Sequence, residues 1–253
     1  MHAKSLYLII HNALTPNENI WIDHAVDSLS VSKDPLNDLL NLSVVVKRQI
    51  TSPIVSSLPQ LSNCDNSEII RIFLLLTLFE QHKGLNKRTS LKQYYQAGDS
   101  AEKMAFLKGL SVLDEDGEAI NIAVNAARCN SLDEFSALTL NNAYPAKHFA
   151  ELNFNQLVLK ALFNGLEIDN VIKLANRANT NLANMCFSYA IEQALAQRIP
   201  PASLWLVINF DQLTDENKQA FEQYTTHFYH LDNKHQLILS KLMTEKKLPQ
   251  ITL

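Results

Sequence analysis

Five glycines in 253 residues is the tightest constraint on what this chain can become. Doubly wound α/β folds need glycine in phosphate loops, and β-rich folds need it in tight turns. A chain this poor in glycine has to connect its elements by other means, and helices ask least of it. Leu, Ala, Asn, Gln, Lys and Glu are all frequent, and apart from Asn they are helix formers. At 47% hydrophobic the chain has material for a sizeable core, in one large domain or two small ones. The expected fold class is all-α. The net charge of −4 offers no basic block to neutralise phosphates, so nucleic acid is not an expected partner.

Periodicity and breakers set the expected elements. A first helix covers 6–14 and ends at Pro16, and a second covers 20–29. Pro35 sits at the first position of a third, with Asp34 as its cap. The β-branched run SVVVKRQ that follows is ambiguous, and reads as helix because no partner strands occur elsewhere. Residues 51–67 form the most loop-like stretch. Asn66 or Ser67 then caps an apolar helix over 68–82, and another helix covers 89–96. Asp99 or Ser100 caps the next, which DEDG closes as a solvated acidic turn. From there to Gln197 the helical pattern is nearly unbroken. Pro200 and Pro201 mark a stop, and Thr214 and Asp215 open a helical pair ending near Lys247. EAINIAVNAARCNS at 118–131 and EIDNVIKLANRANT at 167–180 echo each other at an offset of 49. That period fits helical hairpins stacked antiparallel in a right-handed, HEAT-like solenoid array. In the bland alternative, Arg128 and Arg177 bond the last carbonyls of their helices, and Asn130 and Asn179 cap the helices that follow.

NNAYPAKHFAELNFNQLVLKALFNG, residues 141–165, carries the candidate site. With Asn153 as cap and Gly165 past the end, the helix over 154–164 is apolar around most of its circumference. Gln156, Lys160 and Asn164 form one narrow polar stripe. Asn155 points into the core. An unpartnered buried amide costs about 1–3 kcal/mol, so it has to find a partner, and the NNAYP loop is the nearest supply. It either ties loop to helix or faces a ligand cavity. Lys160 either meets an anionic group or snorkels to solvent. Tyr144, just before a short helix PAKHFAEL, and His148, on it, are candidate acid/base groups if they converge with Lys160.

Other signals point away from known chemistry. His227, His230, Asp232 and His235 do not make a convincing metal set, and no metal or cofactor is expected. Nucleotide-binding loops, zinc-protease helices and nucleophile elbows are absent from the sequence. Cys64, Cys129 and Cys186 are odd in number and far apart, as for reduced core thiols. The longest apolar run, 69–79, is interrupted by Arg71 and falls short of the roughly 20 residues of a membrane span. LYLII is too short for a signal core. The expectation is a cytoplasmic protein.

Four motifs together resemble the EboA family. Arg128 and Asn130 supply an R-x-N ahead of a helix, and Tyr144, Pro145 and Phe149 occupy a turn region. Asn155, Gln156, Val158, Leu159, Lys160, Ala161, Leu162 and Phe163 match an N-Q-x-V-L-K-A-L-F helix. Arg177, Ala178, Asn179, Leu182, Ala183, Met185, Tyr189 and Ala190 match a later R-A-N-x-x-L-A-x-M-x-x-x-Y-A. The likeness is specific over 100–206 and looser from Trp21. Asn142-Ala143, Ala175-Asn176 and Thr180 depart from the pattern, which weakens a carry-over of any site there. The resemblance implies one all-helical domain over 1–206; residues 207–253 match no part of the family pattern and are expected, from their own periodicity, to form a helical pair packed on it. It also implies a pathway: such proteins are encoded with a UbiA-like membrane prenyltransferase, a TatD-like hydrolase, a sugar-cyclase relative and a xylose-isomerase-like protein, and are linked to moving secondary metabolites towards the periplasm. The expected function is a non-catalytic protein that binds a pathway metabolite or scaffolds its enzymes. An all-α enzyme acting on a polar, prenylated or phosphorylated cyclitol-like substrate is the other reading. Ligand contacts are expected from Tyr144, His148, Asn155, Gln156, Lys160, Arg128, Arg177 and Asn179.

Overall fold

Fourteen α-helices and three short 3-10 turns account for the regular structure of the described residues, and no strand forms among them. The computed structural model describes residues 2–55 and 58–251. Ser56 and Ser57, in the expected loop, lie outside the described residues.

Helix starts follow local chemistry. Between α1 (Ala3–Ala13) and α2 (Pro16–Ser30), Thr15 and Glu18 form a capping box. Pro16 therefore opens the second helix as well as ending the first, since a first-turn residue needs no N–H. Pro35 likewise opens α3 (Pro35–Gln49), which runs through the ambiguous valines, but Asp34 makes no side-chain cap bond. The cap of α4 (Asn66–Gln81) is Asp65, in a box with Glu68, rather than Asn66 or Ser67. Those two are engaged elsewhere: Asn66 accepts from the backbone of Ile54, and Ser67 donates to Asp65. After α5 (Lys87–Ala97), Asp99 caps α6 (Ser100–Leu113) as expected, again with a box partner, Glu102.

The expected unbroken pattern beyond 118 is a series of short helices. These are α7 (Ile120–Ala126), α8 (Leu132–Thr139), α9 (Ala143–His148), α10 (Glu151–Phe163), α11 (Leu174–Arg177) and α12 (Thr180–Leu195). Short 3-10 turns follow at Ala202–Val207 and Phe210–Gln212, then α13 (Asp215–Leu231) and α14 (Asn233–Thr244). The chain forms two compact units, Met1–His148 and Phe149–Leu253. In the first, α1, α2, α3 and α6 pack on α4, and α8 packs on α6. In the second, α10 and α13 pack on α12, α14 packs on α13, and the 202–207 turn lies against α12 and α14. Trp205, fully buried on that turn, is surrounded by Phe187, Phe228 and His235. Cys186 is a core residue, while Cys64 and Cys129 are only half-buried, and all three are free thiols. No helix among the described residues is long and apolar enough to cross a membrane.

Three helices of the second unit stop in the same way. The residue after the cap turns left-handed, and the next two N–H groups reach back to the last carbonyls. For α10 these bonds are Gly165 N to Leu162 O and Leu166 N to Ala161 O. For α12 they are Gln197 N to Ala194 O and Arg198 N to Gln193 O, and for α14 Lys246 N to Met243 O and Lys247 N to Leu242 O. The φ angles at the turning residues are 75°, 56° and 57°. Gly165 meets the requirement without strain, and Gln197 and Lys246 do not. Gln197→Gly and Lys246→Gly should each raise the urea unfolding free energy by about 0.5–1 kcal/mol. Gly165→Ala should lower it, although its new Cβ would meet nothing within 4 Å.

His235 generates a pH prediction. Trp205 Nε1 donates to its Nδ1 at 2.9 Å, and indole is only a donor, so Nδ1 carries no proton. Nε2 then donates to the Pro200 carbonyl at 2.9 Å. Burial holds this imidazole below its ordinary pKa, against smaller opposing effects of Pro200, Asp232 and Glu167. The unfolded chain protonates near pH 6.5 and the folded chain only at lower pH. Stability from this site is therefore full above about pH 6.5 and is lost as pH falls below it. Urea midpoints between pH 7.5 and 5 should show that decline, and His235→Gln should flatten it.

Candidate functional site

Helix α10 begins at Glu151, two residues before the expected cap Asn153, which lies inside it. The short helix α9 ends at His148, so PAKHFAEL is split between two helices. Phe154, Leu157, Val158, Ala161 and Leu162 are buried as expected, Gln156 and Asn164 are exposed, and Lys160 is half-buried on the same edge, but Phe163, at the end of the helix, is exposed.

Asn155 is 2% exposed, and its partner is Asn179, not the NNAYP loop. The two amides exchange hydrogen bonds of 3.1 and 2.9 Å. Asn179 also caps α12, accepting from Leu182 N at 3.0 Å, and donates to the Arg177 carbonyl at 3.0 Å. Arg177 Nη2 donates to the Phe149 carbonyl at 2.7 Å, and its guanidinium lies 4.5 Å from the centre of the Phe154 ring. This arginine fastens the entry of α10, a stronger role than bonding its own helix end. Arg128, its counterpart in the echo, is exposed, and Ser131 rather than Asn130 caps α8. The two R-x-N segments therefore do different work.

In the first unit the NNAYP loop is held by Asn142, which sequence reasoning missed. Its amide donates to Leu107 O and Ala137 O, and its oxygen accepts from Tyr144 N. The other missed residue is Asp114. Instead of lying in a solvated turn it is fully buried. It accepts from the Tyr144 hydroxyl at 2.6 Å, and from the backbone N–H groups of Glu118 at 3.0 Å and Ala119 at 2.7 Å. Lys87 Nζ stands 3.9 Å from its other oxygen. Gly117, at φ 82°, lets His148 come close: a Cβ there would be 2.7 Å from Nδ1. The rings of Tyr144 and His148 are 4.5 Å apart.

The electrostatics of this cluster are those of a clasp. Burial, and then the bond to Asp114, push the Tyr144 phenol well above its ordinary pKa. Burial, and then Lys147, hold His148 below its own, so it is neutral at pH 7. Asp114 and Tyr144 face each other away from solvent. His148, half-buried, is the group that solvent reaches. Tyr144 and His148 belong to the first unit, and Gln156, Lys160 and Arg177 to the second. Clefts occur elsewhere: one of about 330 Å³ beside Lys87, Glu80 and Asp116, and one of about 580 Å³ between α12 and α13. His227 and His230 line the latter, while His235 is turned to Trp205 and Asp232 caps α14.

Asn155→Ala should destabilise the protein by about 1–3 kcal/mol, because the Asn179 amide loses its buried partner. A double-mutant cycle with Asn179→Ala should show the two sites to be coupled. Arg128→Ala should change stability by no more than about 0.5 kcal/mol. Urea titrations of the four variants measure all three.

No curated protein and no solved structure matches the chain. One family does, under the description "Metabolite traffic protein EboA", over residues 28–209. That span contains all eight expected ligand contacts and well over half of the sequence. The chain belongs to the EboA family.

Proposed function

We propose that this protein serves metabolite traffic by binding rather than by chemistry, holding a pathway metabolite or the enzymes that make it. The observation that carries the reading is the engagement of four of the eight expected site residues within the protein. Asn155 pairs with Asn179, Arg177 fastens the Phe149 carbonyl, and Tyr144 is bound to buried Asp114. Groups held this way position helices and direct hydrogen bonds to the protein itself. The family description supports the general role in metabolite handling.

In this reading the protein works in the cytoplasm and contributes to the synthesis of a secondary metabolite and its delivery towards the periplasm. A UbiA-like membrane prenyltransferase is among the enzymes it would hold. Helical hairpins stacked in the HEAT manner within a unit would supply the holding faces. One observation favours the enzyme reading: His148 is neutral, half-buried and beside a buried carboxylate–phenol pair. An acid/base role on a polar, prenylated or phosphorylated cyclitol-like substrate would fall to it.

Freshly purified protein measured by native and denaturing mass spectrometry tests the binding reading. The expected result is a small molecule carried in the native ion and released on denaturation. Bare protein in both measurements, with no mass gained after incubation with a cell metabolite extract, would overturn it. Turnover of that extract by wild type but not by His148→Gln would establish the enzyme instead.

A further inference from the structure

We propose that the cleft between α12 and α13 is the metabolite site, and that it takes an uncharged, hydroxyl-bearing aromatic compound. The proposal rests on the binding reading above and gives it a location and a ligand class.

The cleft measures about 580 Å³, within the roughly 300–1,000 Å³ of small-molecule sites. Its α13 wall is one helix face: Gln223, His227 and His230 recur at i, i+4 and i+7, with Tyr224 beside them. Leu195, in the last turn of α12, is 72% exposed, and Leu231, at the end of α13, is 48% exposed. Both line the cleft. Two leucines left open on opposite walls give an apolar slot that a flat ring would cover.

The polar chemistry selects the class of occupant. Among the described residues no Asp, Glu, Lys or Arg lines the cleft, so they supply no carboxylate, ammonium or guanidinium to neutralise a strongly charged ligand. Two imidazoles, an amide and a phenol are present, and each can both donate and accept when neutral. A ring bearing hydroxyl groups matches both halves of this lining. A long alkyl chain would leave the imidazoles unused, and a phosphate would have no cation.

The probe is 2-naphthol, followed by its own fluorescence, with 2-methoxynaphthalene as the analogue that cannot donate. Wild-type protein should bind 2-naphthol saturably and at least ten-fold more tightly than the methyl ether. Leu195→Glu, at an exposed position, should weaken 2-naphthol binding more than ten-fold with unchanged helical circular dichroism. His227→Leu with His230→Leu should erase the preference over the ether. Binding that is absent, or indifferent to Leu195→Glu, overturns the site. So does a concentration-dependent dimer that Leu195→Glu dissolves while 2-naphthol fails to bind, because the cleft is then an interface between copies. A native small molecule retained equally by wild type and Leu195→Glu would remove this cleft while leaving the binding reading intact.

Discussion

Helix α4 gives every side of its circumference to protein. All residues from Ser67 to Leu78 are buried, including two that carry charge. A helix enclosed all round cannot lie at the edge of a layer, so the first unit has to surround it, and α1, α2, α3 and α6 do so. Enclosure also obliges the interior to satisfy Glu68 and Arg71. Glu68 accepts from Lys108 at 2.7 Å and from its own cap, Asp65. Arg71 donates to Ser67 Oγ at 3.0 Å and to the Ser43 carbonyl at 3.3 Å, which joins α4 to α3. Leaving either charge unpartnered would cost several kcal/mol. Packing is equally strict where α6 crosses: a Cβ on Gly109 would lie 2.6 Å from Ile72. One of the few glycines is thus required by close approach.

The scarcity of glycine has consequences elsewhere. Gly117 and Gly165 occupy left-handed backbone, but Asn141, Lys173, Gln197 and Lys246 occupy it as well. Asn tolerates that region better than most residues, and the other three do not share its short amide. The strain at Gln197 and Lys246 is borne because each turn returns two N–H groups to a helix end that would otherwise lack partners. The same feature that implies helices therefore also implies imperfect helix ends, placed where hydrogen bonding outweighs backbone preference.

Patterns that act within one helix were legible in the sequence. The apolar circumference of α10, its polar edge and its Gly165 stop follow from periodicity, and the inward direction of Asn155 follows from the same angles. The partner of Asn155 was not legible, because Asn179 lies 24 residues away and only tertiary packing brings the amides together. Asn153 resembles a cap, but the helix continues back to Glu151, so the residue type alone misplaced the start. Asp114 was misread for a related reason. Within DEDG an aspartate looks solvated, and its burial depends on Tyr144 arriving from a separate helix. The echo at offset 49 shows the same limit: Arg177 finds a ring and a carbonyl, while Arg128 finds solvent.

These observations separate two tasks within one chain. A paired amide buried between α10 and α12 fixes their register without the desolvation cost of an ion pair, and it is of little use to a ligand because both amides are already engaged. Asn155, Arg177 and Asn179 among the motif positions are therefore occupied with architecture, while Arg128 and Gln156 face solvent. Chemistry directed at a small molecule has to come from side chains whose donors and acceptors still face open space. On α13 His227 and His230 are of that kind, and α13 begins after the family match ends at residue 209. In the proposed binding reading, the matched region holds the helices in place, and α13, beyond it, supplies the imidazole wall of the cleft while Ala194 and Leu195 inside it supply the facing edge.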